Sequence, residues 1–192
     1  MQKGKIIFLN GVSSSGKSTL AKTLQDRLEE PFYLIANDTF TMMSPEKFVR
    51  INDIETYDRI LKGMYHTIKI FSDMGINTIA DDVFFTVGYD RLGECLELLH
   101  DYSVLFVRVE CPAEELRRRE KERGDRVVGQ AESQLAILDP QDTYDITVDT
   151  HNNTKEECAD KIIKLLNQPE KFAAFKTLWS QRKLTSFPAR NL

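Results

Sequence analysis

Residues 5–19 read KIIFLNGVSSSGKST. The run from Lys5 to Asn10 is apolar and β-branched, and reads as a strand buried on both faces. The next residues abandon that pattern. Gly11, Gly16, Lys17 and Ser18 satisfy the spacing G-x-x-x-x-G-K-[ST], with Val12, Ser13, Ser14 and Ser15 between the glycines and Thr19 following. Leu20, Leu24 and Leu28 then fall at i, i+4 and i+8, one face of a helix. Strand, glycine-bounded loop and helix in this order make an anion cradle. Glycine permits positive φ and close approach, backbone N–H groups surround the oxyanion, and the helix N-terminus adds its dipole. Lys17 can reach the β- and γ-phosphates of a nucleoside triphosphate, and Ser18 can place its hydroxyl on Mg²⁺. The serines at 13, 14 and 15 are small enough to leave the amides open. Residues 11–19 are therefore expected to bind ATP with Mg²⁺.

Outward from this stretch, apolar runs alternate with helical patterns. PFYLIAND (31–38), INTIADDVFF (76–85), SVLFVRVEC (103–111) and YDITVDT (144–150) read as further strands. Helices are expected over 44–75, 90–99, 112–124 and 154–168, the last opened by a capping box of Thr154 and Glu157. Such alternation means a parallel sheet covered on both faces, an α/β fold. Phe172, Phe175, Leu178 and Trp179 predict one more amphipathic helix, docked on the core. Residues 1–168 are expected to form one domain, with 169–192 a helical tail packed on it.

Bulk properties narrow the class. The chain has 192 residues, 41% apolar and 29% charged, enough for one domain with a good core. A net charge of −4 disfavours a nucleic-acid partner. No apolar run approaches the roughly 20 residues of a membrane span, and the apolar stretch near the N-terminus is too short for a signal-peptide core. Cys95, Cys111 and Cys158 form no C-x-x-C pair, and read as reduced thiols in a cytoplasmic protein. Oligomeric state is left open, a homo-oligomer included.

The acceptor side is read from the strand ends, where ligands of open α/β sheets collect. Asp38 follows the second strand and is the candidate base for a substrate hydroxyl. Asp81 and Asp82 end the third strand. One can hold the water shell of Mg²⁺, with Asp81 the first choice; the other, Asp82, can meet substrate. Phe40, Met42, Met43, Phe84, Phe85 and Tyr89 follow these ends and are expected to wall an apolar acceptor pocket. Arg119, Arg123 and Arg126 fall at i, i+4 and i+7. Arg123 and Arg126 are expected on a lid over the transferring phosphoryl group, with Gly124 and Gly129 as hinges. Arg117 and Arg118 read as surface ion pairs.

A guanine-nucleotide switch would want an N-K-x-D motif, which the chain lacks, so a kinase for some acceptor is favoured. A slowly hydrolysing regulatory module is the reading from another class.

Several motifs line up in order: FLNGVSSSGKST, NDTF, ADDVF, VRVECPAEELRRREKERGDRVVGQAESQ and YDITVDT…EECA. Together they resemble the chloramphenicol phosphotransferase-like family of P-loop kinases, from about Lys5 to about Leu166. The resemblance implies a three-layer P-loop fold, a five-stranded parallel sheet in the order 2-3-1-4-5, and a helical lid. It implies ATP-dependent phosphorylation of a hydroxyl on a small molecule, chloramphenicol in the named member. Asp38 matches the family's base, Lys17 and Ser18 its phosphate-loop residues, and Arg123 and Arg126 its lid arginines. Asp139 and Pro140 stand where the pattern carries a histidine, and residues 40–70 show no clear match. A nucleoside, a sugar acid or adenylyl sulfate are the other acceptors considered.

Overall fold

Alternation along the first strand decides the layers. In this computed structural model, residues 2–45, 47, 54–86, 90–123, 129–138 and 143–185 are described. Strand β1 (Ile6–Asn10) turns Ile6 and Phe8 into one apolar cluster and Ile7 and Leu9 into another, and all four are fully buried. A strand covered on both faces belongs in the middle of its sheet. It lies between β3 (Asn77–Asp82) and β4 (Val104–Glu110), with β2 (Phe32–Ala36) and β5 (Ile146–Asp149) at the edges. All four pairings are parallel, and the order 2-3-1-4-5 is the one the resemblance implied.

Helices α1 (Lys17–Arg27) and α7 (Lys155–Leu166) cover the Ile7 face, through Leu20, Leu24, Cys158 and Ile162. On the Phe8 face lie α3 (Ile54–Asp73), α4 (Arg91–Leu99) and α8 (Ala174–Thr185). The tail helix enters that core with Phe175 and Leu178, and Trp179 stacks on His100 with ring centroids 4.7 Å apart. Phe8 stacks on Phe84 at 5.2 Å and meets Phe106 edge-on at 5.9 Å. Such ring pairs add about 0.5–1.5 kcal/mol each beyond burial. The expected Thr154–Glu157 capping box is present. All three cysteines are buried and free. No helix among the described residues is long and apolar enough to cross a membrane.

Two helices lie outside the expected pattern. Helix α2 (Asn37–Thr41) follows β2 without a loop, and α6 (Gln130–Ile137) follows α5 (Ala113–Arg123). The first is only five residues long, and the second has a weakly amphipathic sequence after a glycine, so neither carries a strong period. The expected start of the long helix at Ser44 and the lid tip, with Gly124 and Arg126, fall on or beside residues outside the described ones, as do Tyr89, Asp139 and Pro140.

The register positions the site. Asn10 pairs with Asp82 on one side and Arg108 on the other, while Ala36 pairs with Asp81. The carboxyl ends of β1, β2 and β3 therefore finish level, where an open α/β sheet collects ligands.

Candidate active site

The loop between β1 and α1 is shaped by two glycines. A Cβ on Gly11 would lie 2.5 Å from the carbonyl oxygen of Val109, so only glycine lets the loop leave β1 this close to β4. Gly16 has φ 95°, and Ser14 also sits at positive φ, 60°. Residues with such backbones turn successive N–H groups toward one point, the nest that binds anions. The Ser14 hydroxyl is buried without a partner, a polar atom that a bound phosphate or its water would satisfy.

Lys17 donates to the carbonyl of Val12 at 3.1 Å and stands 3.6 Å from Asp81. Ser18 donates its hydroxyl to the other oxygen of Asp81 at 2.9 Å. One ammonium, one hydroxyl and one carboxylate thus converge at the loop's end. Hard oxygen donors of this kind suit Mg²⁺, which takes one or two protein oxygens plus phosphate oxygens. Of the two strand-end aspartates, Asp81 is the one beside Ser18.

Asp82 points elsewhere. It is 1% exposed and accepts from Asn37 Nδ2 and from the Tyr65 hydroxyl, each at 2.6 Å. Tyr57 in turn donates to the side-chain Oδ1 of Asn37 at 3.1 Å. Burial pushes the Asp82 carboxyl above its ordinary value, against the pull of these donors. Burial, then the Asp82 charge, also raises the Tyr65 hydroxyl well above its usual value. The raised acid makes a pH-dependent prediction. Above the unfolded value of about 3.9 the native protein binds more protons than the unfolded chain, so this contribution to stability is lost as pH rises through the folded value. Asp82→Asn removes that slope. Urea melts from about pH 4 to about pH 8 should show the variant gaining on the wild type as pH rises; a constant difference would refute burial as the cause.

A cavity of about 650 Å³ joins these parts. Its walls include Ser13, Ser14 and Gly16 to Thr19 from the loop, Asn37 and Asp38 from α2, Asp81 and Asp82, and Arg123 at the end of α5. Asp38 is exposed and in the first turn of α2. Two expected wall residues are corrected. Phe84 is fully buried in the Phe8 cluster, because its ring fills the space between Phe8 and Phe106. Phe40 packs half-buried against that same core. Of the expected aromatics Phe85 does line the cavity, and among the described residues Tyr57 joins it. Met42 and Met43 are 83% and 68% exposed and lie outside the cavity lining.

The arginine run divides as its neighbours dictate. Arg118 pairs with Glu115 and Glu122 on the surface, as expected. Arg117 reaches Glu132 of α6 through two hydrogen bonds, at 2.9 and 2.6 Å. Arg119 is drawn inward: it donates to Thr150 Oγ1 at 3.1 Å and to the Thr150 carbonyl at 2.8 Å, with the Ser14 carbonyl at 3.4 Å. It lines a second recess of about 370 Å³ with Gly16, Thr19, Leu20, Thr150 and Lys155. Arg123 borders both spaces. Tyr57, Gln130 and Gln134 also line the larger cavity; Gln130 and Gln134 both stand in the GQAESQ block, whereas nothing in the sequence marks Tyr57.

A family model described as chloramphenicol phosphotransferase-like protein matches residues 4–167. A candidate O-phosphotransferase of Mycobacterium tuberculosis is 30% identical over 186 residues, covering 84% of this chain and 82% of that protein. An adenylyl-sulfate kinase of Clostridium acetobutylicum is 28% identical over 177 residues, covering 87% and 85%. Among solved structures, the Mycobacterium tuberculosis APS kinase CysC in complex with AMPPNP and APS is similar with a TM-score of 0.67. It is 16% identical and is matched over 87% of this chain and 99% of that one, a likeness of fold. The family match takes in all five strands and the phosphate loop. The chain belongs to the chloramphenicol phosphotransferase-like family and is, with its relatives, a small-molecule kinase.

Proposed function

We propose that the protein transfers the γ-phosphoryl group of ATP to a hydroxyl of a small molecule. The observation that carries this reading is the shared cavity: Asp38 faces the same space as Lys17, Ser18 and Asp81. Its volume suits the triphosphate end of a nucleotide together with a modest organic acceptor. The acceptor hydroxyl gives its proton to Asp38 while its oxygen attacks the γ-phosphorus. Lys17 and the loop amides hold the phosphates, and Arg123, joined by Arg126, neutralises charge on the transferring group. Ser18 and Asp81 would hold Mg²⁺, which when bound neutralises the β- and γ-oxygens. The recess beside Arg119 and Thr150 would take the nucleoside, with the guanidinium plane as its floor.

Phe85 and Tyr57 give the acceptor apolar walls, and Thr41, Ser44 and Thr56 offer hydroxyls. Asp82 borders the acceptor but spends its hydrogen bonds on Asn37 and Tyr65, so its part is to fix Asn37 beside Asp38. Chloramphenicol is the acceptor suggested by the family description. Adenylyl sulfate is the second reading, on the likeness to the clostridial adenylyl-sulfate kinase. Three buried free thiols suit a reducing compartment, and we place the reaction in the cytoplasm. The test is ATP consumption and a phosphorylated product, by mass spectrometry, over a panel of chloramphenicol, adenylyl sulfate, sugar acids and nucleosides. The expected result is one acceptor that raises turnover well above hydrolysis. Tight ATP binding with no acceptor raising turnover would favour a regulatory module instead.

A further inference from the structure

Gln134 sits on α6, yet its side chain touches the phosphate loop. Its Oε1 accepts from the Ser13 amide at 2.6 Å, and it lines the same cavity as Lys17, Asp38 and Asp81. A primary amide offers one acceptor oxygen and a nitrogen with two donors. Because the Ser13 N–H is the partner, the oxygen end is fixed by the hydrogen bond, and the nitrogen end is the one left for the cavity. Nε2 takes no partner among the described residues.

The helix does not depend on Gln134 for its place. Fully buried Glu120 of α5 accepts from the amides of Gly129 and Ala131 at 2.8 and 2.7 Å, satisfying the start of α6. At the other end, Thr86 donates its amide to the Ile137 carbonyl at 2.8 Å and its hydroxyl at 3.1 Å. A side chain held at both ends of its helix, and again at its own oxygen, is a preorganised donor. Donors fixed before reaction stabilise developing charge without reorganising during it.

We propose that Gln134 is a further catalytic residue, whose Nε2 donates a hydrogen bond to an oxygen of the phosphoryl group in flight. The inference rests on the kinase reading above. In that step the bond from the γ-phosphorus to the β–γ bridging oxygen breaks, and its electron pair leaves with ADP. The acceptor oxygen bonds phosphorus and its proton passes to Asp38. Gln134 keeps its own protons throughout. It stabilises the spread of negative charge from the P-loop side, while Arg123 does so from the end of α5.

The test separates donor from scaffold. Gln134→Glu keeps an oxygen for the Ser13 amide but loses the N–H donors, whereas Gln134→Ala loses both. The probe is ADP binding by calorimetry in the presence of Mg²⁺, with and without aluminium fluoride, which forms a mimic of the transferring phosphoryl group. Wild type should bind ADP more tightly with the fluoride. Both variants should lose most of that gain, up to about 10²-fold, while the neutral Gln134→Ala binds ADP alone within about twofold of wild type. With an acceptor in hand, kcat should fall by about 10²-fold and KM for ATP should move little. If Gln134→Glu retained the gain and only Gln134→Ala lost it, Gln134 would be a loop-positioning residue and the proposal would be overturned. If wild type bound ADP with no gain from the fluoride, the transfer reading itself would fall with it.

Discussion

Asp38→Asn should lower kcat by about 10³-fold, with ATP binding unchanged within about twofold. The expectation follows from how the residue is held. Asn37, its neighbour, is clamped by the Tyr57 hydroxyl at one end of its amide and by Asp82 at the other. Thr41 closes the first turn of α2 by donating to the carbonyls of Asn37 and Asp38, each at 3.1 Å. The backbone under Asp38 is thus fixed from both sides, and asparagine can occupy the position without disturbing it. What asparagine lacks is a basic oxygen to take the acceptor's proton. The loss should therefore fall on kcat, with KM for the acceptor shifting only a few-fold, because the amide still accepts a hydrogen bond. Steady-state kinetics on the acceptor found by the panel, with calorimetry for ATP, measures both. A variant retaining more than about a tenth of wild-type kcat would remove Asp38 from the role of base.

The second large effect is at Lys17. Lys17→Met should cost about 10³-fold in kcat and also weaken ATP binding, because the lysine is the one cation set within the loop itself. Methionine nearly matches the lysine stem in size, so the loop keeps its packing. Lys17→Arg should not restore activity. The site holds a compact ammonium against the Val12 carbonyl and Asp81, and a planar guanidinium cannot adopt that geometry in the same space. Both variants are checked by calorimetric titration with ATP and by single-turnover transfer. An arginine variant with near wild-type turnover would show that charge alone suffices, and would overturn the geometric part of the argument.

These residues differ in how much of their setting the sequence disclosed. The phosphate loop was legible because its determinants are local. Positive φ at Gly16, close approach at Gly11 and the start of α1 all lie within eight residues of one another. Layering was legible from the alternation of Ile6, Ile7, Phe8 and Leu9, and the strand order came from resemblance alone. The acceptor wall was misread because Phe84 and Phe85 are adjacent, and in extended chain adjacent side chains face opposite ways. One fills the core and the other borders the cavity, and no composition argument chooses between them. Short α2 and α6 are not legible in the sequence because they are held by tertiary contacts: Glu120 of α5 is nine or more residues from the amides it satisfies at the start of α6.

By itself, then, the sequence determined an anion-binding loop on a buried parallel strand, the alternation of elements and the carboxylates at the strand ends. Those depend on backbone conformation and on periods of a few residues, which a chain states locally. Only the tertiary structure decided that Asp81 meets Ser18 while Asp82 turns to Tyr65, that Arg119 reaches Thr150, and that Gln134 crosses 121 positions to the Ser13 amide. Each is a meeting of side chains from separate elements. It is set by strand register and helix docking, which the burial of apolar faces fixes for the molecule as a whole.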